Sequence, residues 1–242
     1  MQKLDVLIFA AHPDDAELGC GGTIVKLVDS GKKIGIIDLT QGELGTRGSV
    51  NLRLKEAEKA SKILGIKVRL NVKLKDGNIQ NTPFNRLKLI KLIRHYKPDI
   101  IFLPYPGDRH PDHIHTSNIV KESAFYSGLS KIRSAYNKKP QPSYRPSKLI
   151  YYMQTYAFEP SFIIDVTSEF GRKMKAVNCY ETQFYNENYK GADTFISDKK
   201  FIDFIEARAI FYGFMIGTKY GEPFYTEEKL KIDPNTLFNK KT

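Results

Sequence analysis

Four short apolar runs constrain this chain most: residues 4–11, 33–40, 68–73 and 100–103. Each reads as a strand, and amphipathic stretches over 18–30, 51–64 and 85–96 read as the helices between them. Gly31 and Gly65 stand where the first two helices should stop. Strands alternating with helices across short connections imply right-handed βαβ units and a parallel sheet, hence an α/β fold. The second half is less regular. Strands are expected over 148–153 and 162–166, helices over 168–180 and 199–213, and an exposed loop over 138–146, which holds three prolines. No repeat occurs, no low-complexity tail beyond a polar C-terminus, and no linker divides the chain, so residues 1–242 are read as one domain.

With 242 residues and an apolar fraction of 41%, the chain can build a sizeable core. No run approaches the ~20 apolar residues needed to span a bilayer. Lys3 followed by residues 4–11 faintly resembles a signal peptide, but Asp5 interrupts the run, which ends in a polar cluster rather than a cleavage site. The expectation is a cytoplasmic protein without a membrane partner. The two cysteines, Cys20 and Cys179, lie far apart without CxxC spacing, which argues against a structural zinc knot or a disulfide framework. Cys20, among glycines, reads as a small packing residue. A formal charge of +11 invites a nucleic-acid partner. The lysines are scattered over helix faces, however, as at Lys55, Lys59 and Lys62, and a solvated basic surface accounts for them.

The chemistry concentrates in two clusters, His12-Pro13-Asp14-Asp15 and His110-Pro111-Asp112-His113. Each closes an apolar strand, and in open parallel sheets ligands bind beyond the carboxyl ends of strands. His12 and Asp15, three residues apart across a strand-to-helix turn, can face one ion, with His113 as a third ligand. Two nitrogens and one oxygen leave a coordination position open, as in a catalytic site. Zinc fits this set best, and Fe(II), Mn(II) or Co(II) could occupy it. Such an ion lowers the pKa of the water it holds to about 7. Asp14 is then the natural general base, His110 either protonates the leaving group or stabilises an oxyanion, and Asp112 can orient an imidazole. The bland alternative for a single His-Pro-Asp is a helix N-cap; two such clusters, each ending a strand, weigh against it. His95 and His115 read as ordinary helix or surface residues.

The loop Gly42-Glu43-Leu44-Gly45-Thr46-Arg47-Gly48 lacks the Lys-Ser/Thr of a P-loop and does not follow the first strand. Arg47, Arg53 and Arg109 are candidates for binding a carboxylate or phosphate, with Arg109 foremost because it directly precedes His110. No GxSxG elbow supports serine hydrolase chemistry.

Together, AHPDD after the first strand, the Gly-Glu-x-Gly-Thr-Arg-Gly loop, the helix RLKEAEKASKILGI and HPDH after a later strand resemble the PIG-L/LmbE-like zinc N-deacetylases. The likeness continues through Gln183-Phe184 and EARAIFYGFMIGTKYGEPF, so it spans nearly the whole chain. It is nearest to the bacillithiol-biosynthesis subgroup, which removes acetate from N-acetylglucosaminyl malate. The resemblance implies a Rossmann-like three-layer fold with helices on both faces of a mainly parallel sheet. It implies zinc on His12, Asp15 and His113, Asp14 as general base, His110 acting on the tetrahedral intermediate, Arg53 and Arg109 near the malate carboxylates, and a homo-oligomer, commonly a hexamer. The chain departs from shorter members over 130–146 and 186–193, where insertions could reshape the pocket mouth or an oligomer contact.

The leading expectation is therefore a metal-dependent amidohydrolase acting on an N-acetylated amino sugar, with a broader N-acetylglucosamine, chitooligosaccharide or thiol-conjugate amidase as the near alternative. Two other classes stand beside it. A Rossmann-like nucleotide- or nucleic-acid-binding protein suits the charge but lacks the glycine fingerprint. A non-catalytic metal module would need a fourth protein ligand, and the sequence offers no obvious one.

Overall fold

Residues 3–233 are described in a computed structural model; the polar C-terminal end lies outside them. In chain order the elements are β1 (Val6–Ala10), α1 (Asp15–Asp29), β2 (Ile34–Asp38), α2 (Val50–Leu64), β3 (Val68–Asn71), α3 (Pro83–Tyr96) and β4 (Ile100–Pro104). There follow α4 (Pro111–Ser127), the hairpin strands β5 (Ala135–Tyr136) and β6 (Lys139–Pro140), β7 (Lys148–Tyr152) and β8 (Phe162–Asp165). The described chain ends with α5 (Phe170–Val177), α6 (Lys199–Met215) and β9 (Gly221–Tyr225).

One seven-stranded sheet runs in the order β3-β2-β1-β4-β7-β9-β8. It is parallel from β3 to β7, and β9 pairs antiparallel with both β7 and β8. Every residue of β1 is buried, because both faces of the sheet are covered. Val6, Ile8 and Ala10 pack with α1, α2, α5 and α6 on one side. Leu7 and Phe9 pack with α3 and α4 on the other. This is the three-layer, mainly parallel α/β arrangement implied by the resemblance.

Several boundaries differ from expectation. The helix expected over 18–30 begins at Asp15, so one metal-ligand candidate sits in its first turn. The strand expected over 68–73 and the helix over 168–180 are each shorter. Helix α4 and strand β9 were not anticipated. The expected loop over 138–146 starts inside a hairpin whose turn residues Asn137 and Lys138 have φ of 49° and 62°, as a tight hairpin turn requires. No helix among the described residues is long and apolar enough to cross a membrane.

Candidate active site

β1 has β2 on one side and β4 on the other. The helix after β1 packs on one face of the sheet and the helix after β4 on the opposite face. The connections diverge at this point and leave a crevice at the strand ends. A cavity of about 360 Å³ opens there, lined by residues of both His-Pro-Asp clusters.

The first cluster turns sharply between β1 and α1. Asp14 has φ 125°, a conformation that favours glycine, and it faces the cavity with only 3% of its surface exposed. Asp15 enters the first helical turn, where a negative charge suits the helix dipole, and its Oδ2 accepts the His12 backbone N–H at 2.8 Å. The second cluster opens α4. Pro111 occupies the first turn, and His110 caps the helix by accepting the Asp112 N–H on Nδ1 at 3.2 Å.

Asp15 lies between the two histidines. Its Oδ2 is 3.5 Å from His12 Nδ1 and its Oδ1 is 3.2 Å from His113 Nε2. Donor atoms of the three residues all fall within 4.8 Å of one another. Tetrahedral coordination at bond lengths of about 2.1 Å spaces neighbouring donors by about 3.4 Å, so the residues fit a divalent cation. A second group, His12, His110 and Asp112, is equally compact. Its members are less uniformly buried, His110 being only half-buried, and two of its atoms already serve the fold: His110 Nδ1 caps the helix and Asp112 Oδ2 accepts the Gly77 N–H at 2.7 Å. The geometry therefore favours His12, Asp15 and His113.

Each of those histidines has its other ring nitrogen on a carboxylate. His12 Nε2 is 3.0 Å from Asp76 Oδ1, and Asp112 Oδ2 is farther at 3.5 Å. His113 Nδ1 is 2.9 Å from Asp108 Oδ1. Such partners fix the ring orientation of metal-binding imidazoles. Sequence reasoning named only Asp112 for this part and missed Asp76 and Asp108. Asp76 follows β3 at the same end of the sheet, the one pattern that could have marked it. Gln154 also escaped notice; it donates to the Asp15 carbonyl at 3.2 Å.

The charges follow from these contacts. Burial opposes ionisation of Asp15, yet His113 and His12 hold it well below the usual carboxylate range. Asp14 differs: burial pushes it up to about 7 against the opposing pull of Arg53. Arg53 donates from Nη2 to Asp14 Oδ2 at 2.6 Å and from Nε to the Pro13 carbonyl at 3.1 Å. Arg53 thus lines the cavity as expected, but two of its three nitrogens serve the first cluster. Arg109 is at the cavity wall with its guanidinium carbon 4.2 Å from the Phe195 ring centre.

Residues 7–124 match the family model described as PIG-L: GlcNAc-PI de-N-acetylase. Those residues form a PIG-L family domain. Relatives of the chain include N-deacetylases, hydrolases of amides. The chain is similar to the diacetylchitobiose deacetylase of Thermococcus kodakarensis, 28% identical over 236 residues that cover 90% of this chain and 80% of that one. A probable N-acetyl-alpha-D-glucosaminyl L-malate deacetylase 2 of Bacillus anthracis is 33% identical over 131 residues, 49% of this chain and 58% of that protein. Among solved structures, the conserved protein TT1542 from Thermus thermophilus superimposes with a TM-score of 0.85 at 33% identity, covering 96% of this chain and 98% of that one.

Proposed function

We propose that this protein hydrolyses the acetamide of an N-acetylglucosaminyl conjugate to the free amine and acetate. In this reading a divalent cation, zinc foremost, is held by His12, Asp15 and His113. The observation that carries it is the division within one turn. Asp15 faces the two histidines, while Asp14, beside it, is turned to Arg53 and left out of the ligand group. When bound, the cation supplies Lewis acidity and acidifies water at neutral pH.

The side chains then have separate tasks. Asp14, with Oδ2 fixed by Arg53, takes a proton from the attacking water and delivers it to the departing amine. His110 Nδ1 is occupied as a helix-cap acceptor, so a neutral ring carries its proton on Nε2. Burial lowers the pKa of His110, which favours the neutral ring. Its Nε2–H is then a donor for the oxyanion that develops on the acetyl carbonyl.

For the aglycone, the L-malyl conjugate is supported by the 33% identical B. anthracis protein and by the arginines around the cavity. A neutral disaccharide is the second reading, supported by likeness to a diacetylchitobiose deacetylase across 90% of the chain. Release of free amine from N-acetylglucosaminyl malate, diacetylchitobiose and N-acetylglucosamine tests both. The malyl reading expects kcat/KM for the first to exceed the others by at least about tenfold, the value of one favourable charged contact. Equal rates would point to a broad sugar deacetylase, and no release from any of the three would end the proposal.

A further inference from the structure

The charges of the three arginines at the cavity are not equally balanced. Arg53 is paired with Asp14. The cavity's other carboxylates, Asp15 and Asp76, face His113 and His12. Among the described residues no carboxylate lies within ion-pair distance of Arg47 or Arg109.

Arg47 is the unusual member of the set. It is 7% exposed, and its Nε is buried with no hydrogen-bond partner. The side chain is nevertheless held in place. Its guanidinium carbon lies 4.4 Å from the Tyr189 ring centre. The Tyr189 hydroxyl accepts the Gly48 N–H at 2.9 Å, and Gln183 donates to the Arg47 carbonyl at 3.0 Å. Tyr189 lies within residues 186–193, so that segment clamps the arginine against the cavity. The buried, unpartnered Nε carries a desolvation cost that an accepting anion offsets. Nothing in the described chain supplies that anion.

We propose that Arg47 is the principal anion-binding residue of the cavity, taking a carboxylate or phosphate on the aglycone. Arg109, exposed and stacked on Phe195, is the second cation. The inference rests on the reading of the chain as a glucosaminide deacetylase and moves the anion site away from Arg53, which is committed to Asp14.

The test uses metal-loaded wild type and Arg47→Gln with three α-glycosides of N-acetylglucosamine: the L-malyl glycoside, the 1-phosphate and the neutral methyl glycoside. The quantity read is the ratio of kcat/KM for each anionic glycoside to that for the methyl glycoside. Loss of a charge-assisted contact should lower at least one ratio by about 10- to 100-fold, and whichever falls more names the anion. Arg47→Lys should recover part of the lost ratio. If neither ratio falls by tenfold, Arg47 is not the anion site. An equal drop on all three glycosides leaves both ratios unchanged and overturns the proposal as well. Calorimetric binding of the corresponding free amines to the same two proteins keeps the inference separate from the activity. If wild type hydrolyses no glycoside, the function assignment fails, while preferential binding of an anionic amine that Arg47→Gln loses would still uphold the anion site. Equal binding of all three amines by wild type would overturn it.

Discussion

Asp14 combines a strained backbone with a buried carboxylate, and the two can be separated by mutation. Asp14→Ala removes the proposed base but none of the three ligand candidates. It should keep its metal by elemental analysis and lose about 10²–10⁴-fold in turnover. Full activity would dismiss Asp14 as the base. Asp14→Gly leaves Arg53 just as unpaired but also relieves the φ of 125°. Relief of about 1–3 kcal/mol of strain outweighs the unfolded-state entropy that glycine adds. Asp14→Gly should therefore unfold at higher urea than Asp14→Ala, by about 1 kcal/mol; the reverse order would show that the turn is unstrained. The carboxylates behind the histidines make a separate prediction. Asp76→Asn and Asp108→Asn should each weaken metal binding by about 10–100-fold in chelator competition, and unchanged affinity in both would refute their orienting role. His12, Asp15 and His113 were legible because each stands in a dense local motif. Asp76 was not, since it joins the site across 64 residues of sequence and only through sheet topology.

At the scale of elements, α1 is interrupted at Cys20, whose φ of −146° and ψ of 24° break the helix. The second half needs a new cap, and the Glu222 carboxylate from β9 provides it. Glu222 accepts the N–H groups of Gly22 at 2.9 Å and Thr23 at 2.7 Å, and pairs with Lys173 Nζ of α5 at 2.7 Å. Both ionic side chains are 2% exposed. Glu222→Ala strands a buried ammonium and two amides and should cost about 3–5 kcal/mol in urea unfolding. Adding Lys173→Met should recover much of that loss, because the stranded charge disappears; strictly additive losses would show that the pair is not coupled. The contact spans 200 residues, so no local pattern revealed it. The glycines were the visible trace: a Cβ at Gly19 would fall 2.3 Å from Tyr152 and one at Gly22 2.8 Å from Val166. The missed elements have physical reasons too. Helix α4 opens on Pro, Asp and His, so its first turn looks like loop, and β9 runs through Gly221-Glu222-Pro223, an unpromising strand sequence.

On the scale of the whole molecule, the site joins two loops that leave β1 and β4 toward opposite faces of the sheet, so a cation there cross-links both layers of helices. The alternation of strands and helices made this crevice readable in advance, whereas the antiparallel β9 and the clamp on Arg47 depend on contacts formed only after folding. The cross-link couples stability to pH in a way that depends on metal. Without a cation, burial lowers the pKa of His113, but Asp15 and Asp108 outweigh it and raise the group to about 9. A histidine raised above its unfolded value of about 6.5 contributes stability that is full below that pH and is lost as pH climbs through about 9. A coordinated His113 must be neutral, so protons compete with the cation and metal-derived stability is lost as pH falls. At a free metal concentration of about 100 times Kd the stabilisation is about 2.7 kcal/mol. The difference in melting temperature between metal-loaded and chelator-treated protein should accordingly widen from about pH 6 to about pH 9. A difference that stays constant or narrows over that range would remove His113 from the ligand set, and with it the bridge between β1 and β4.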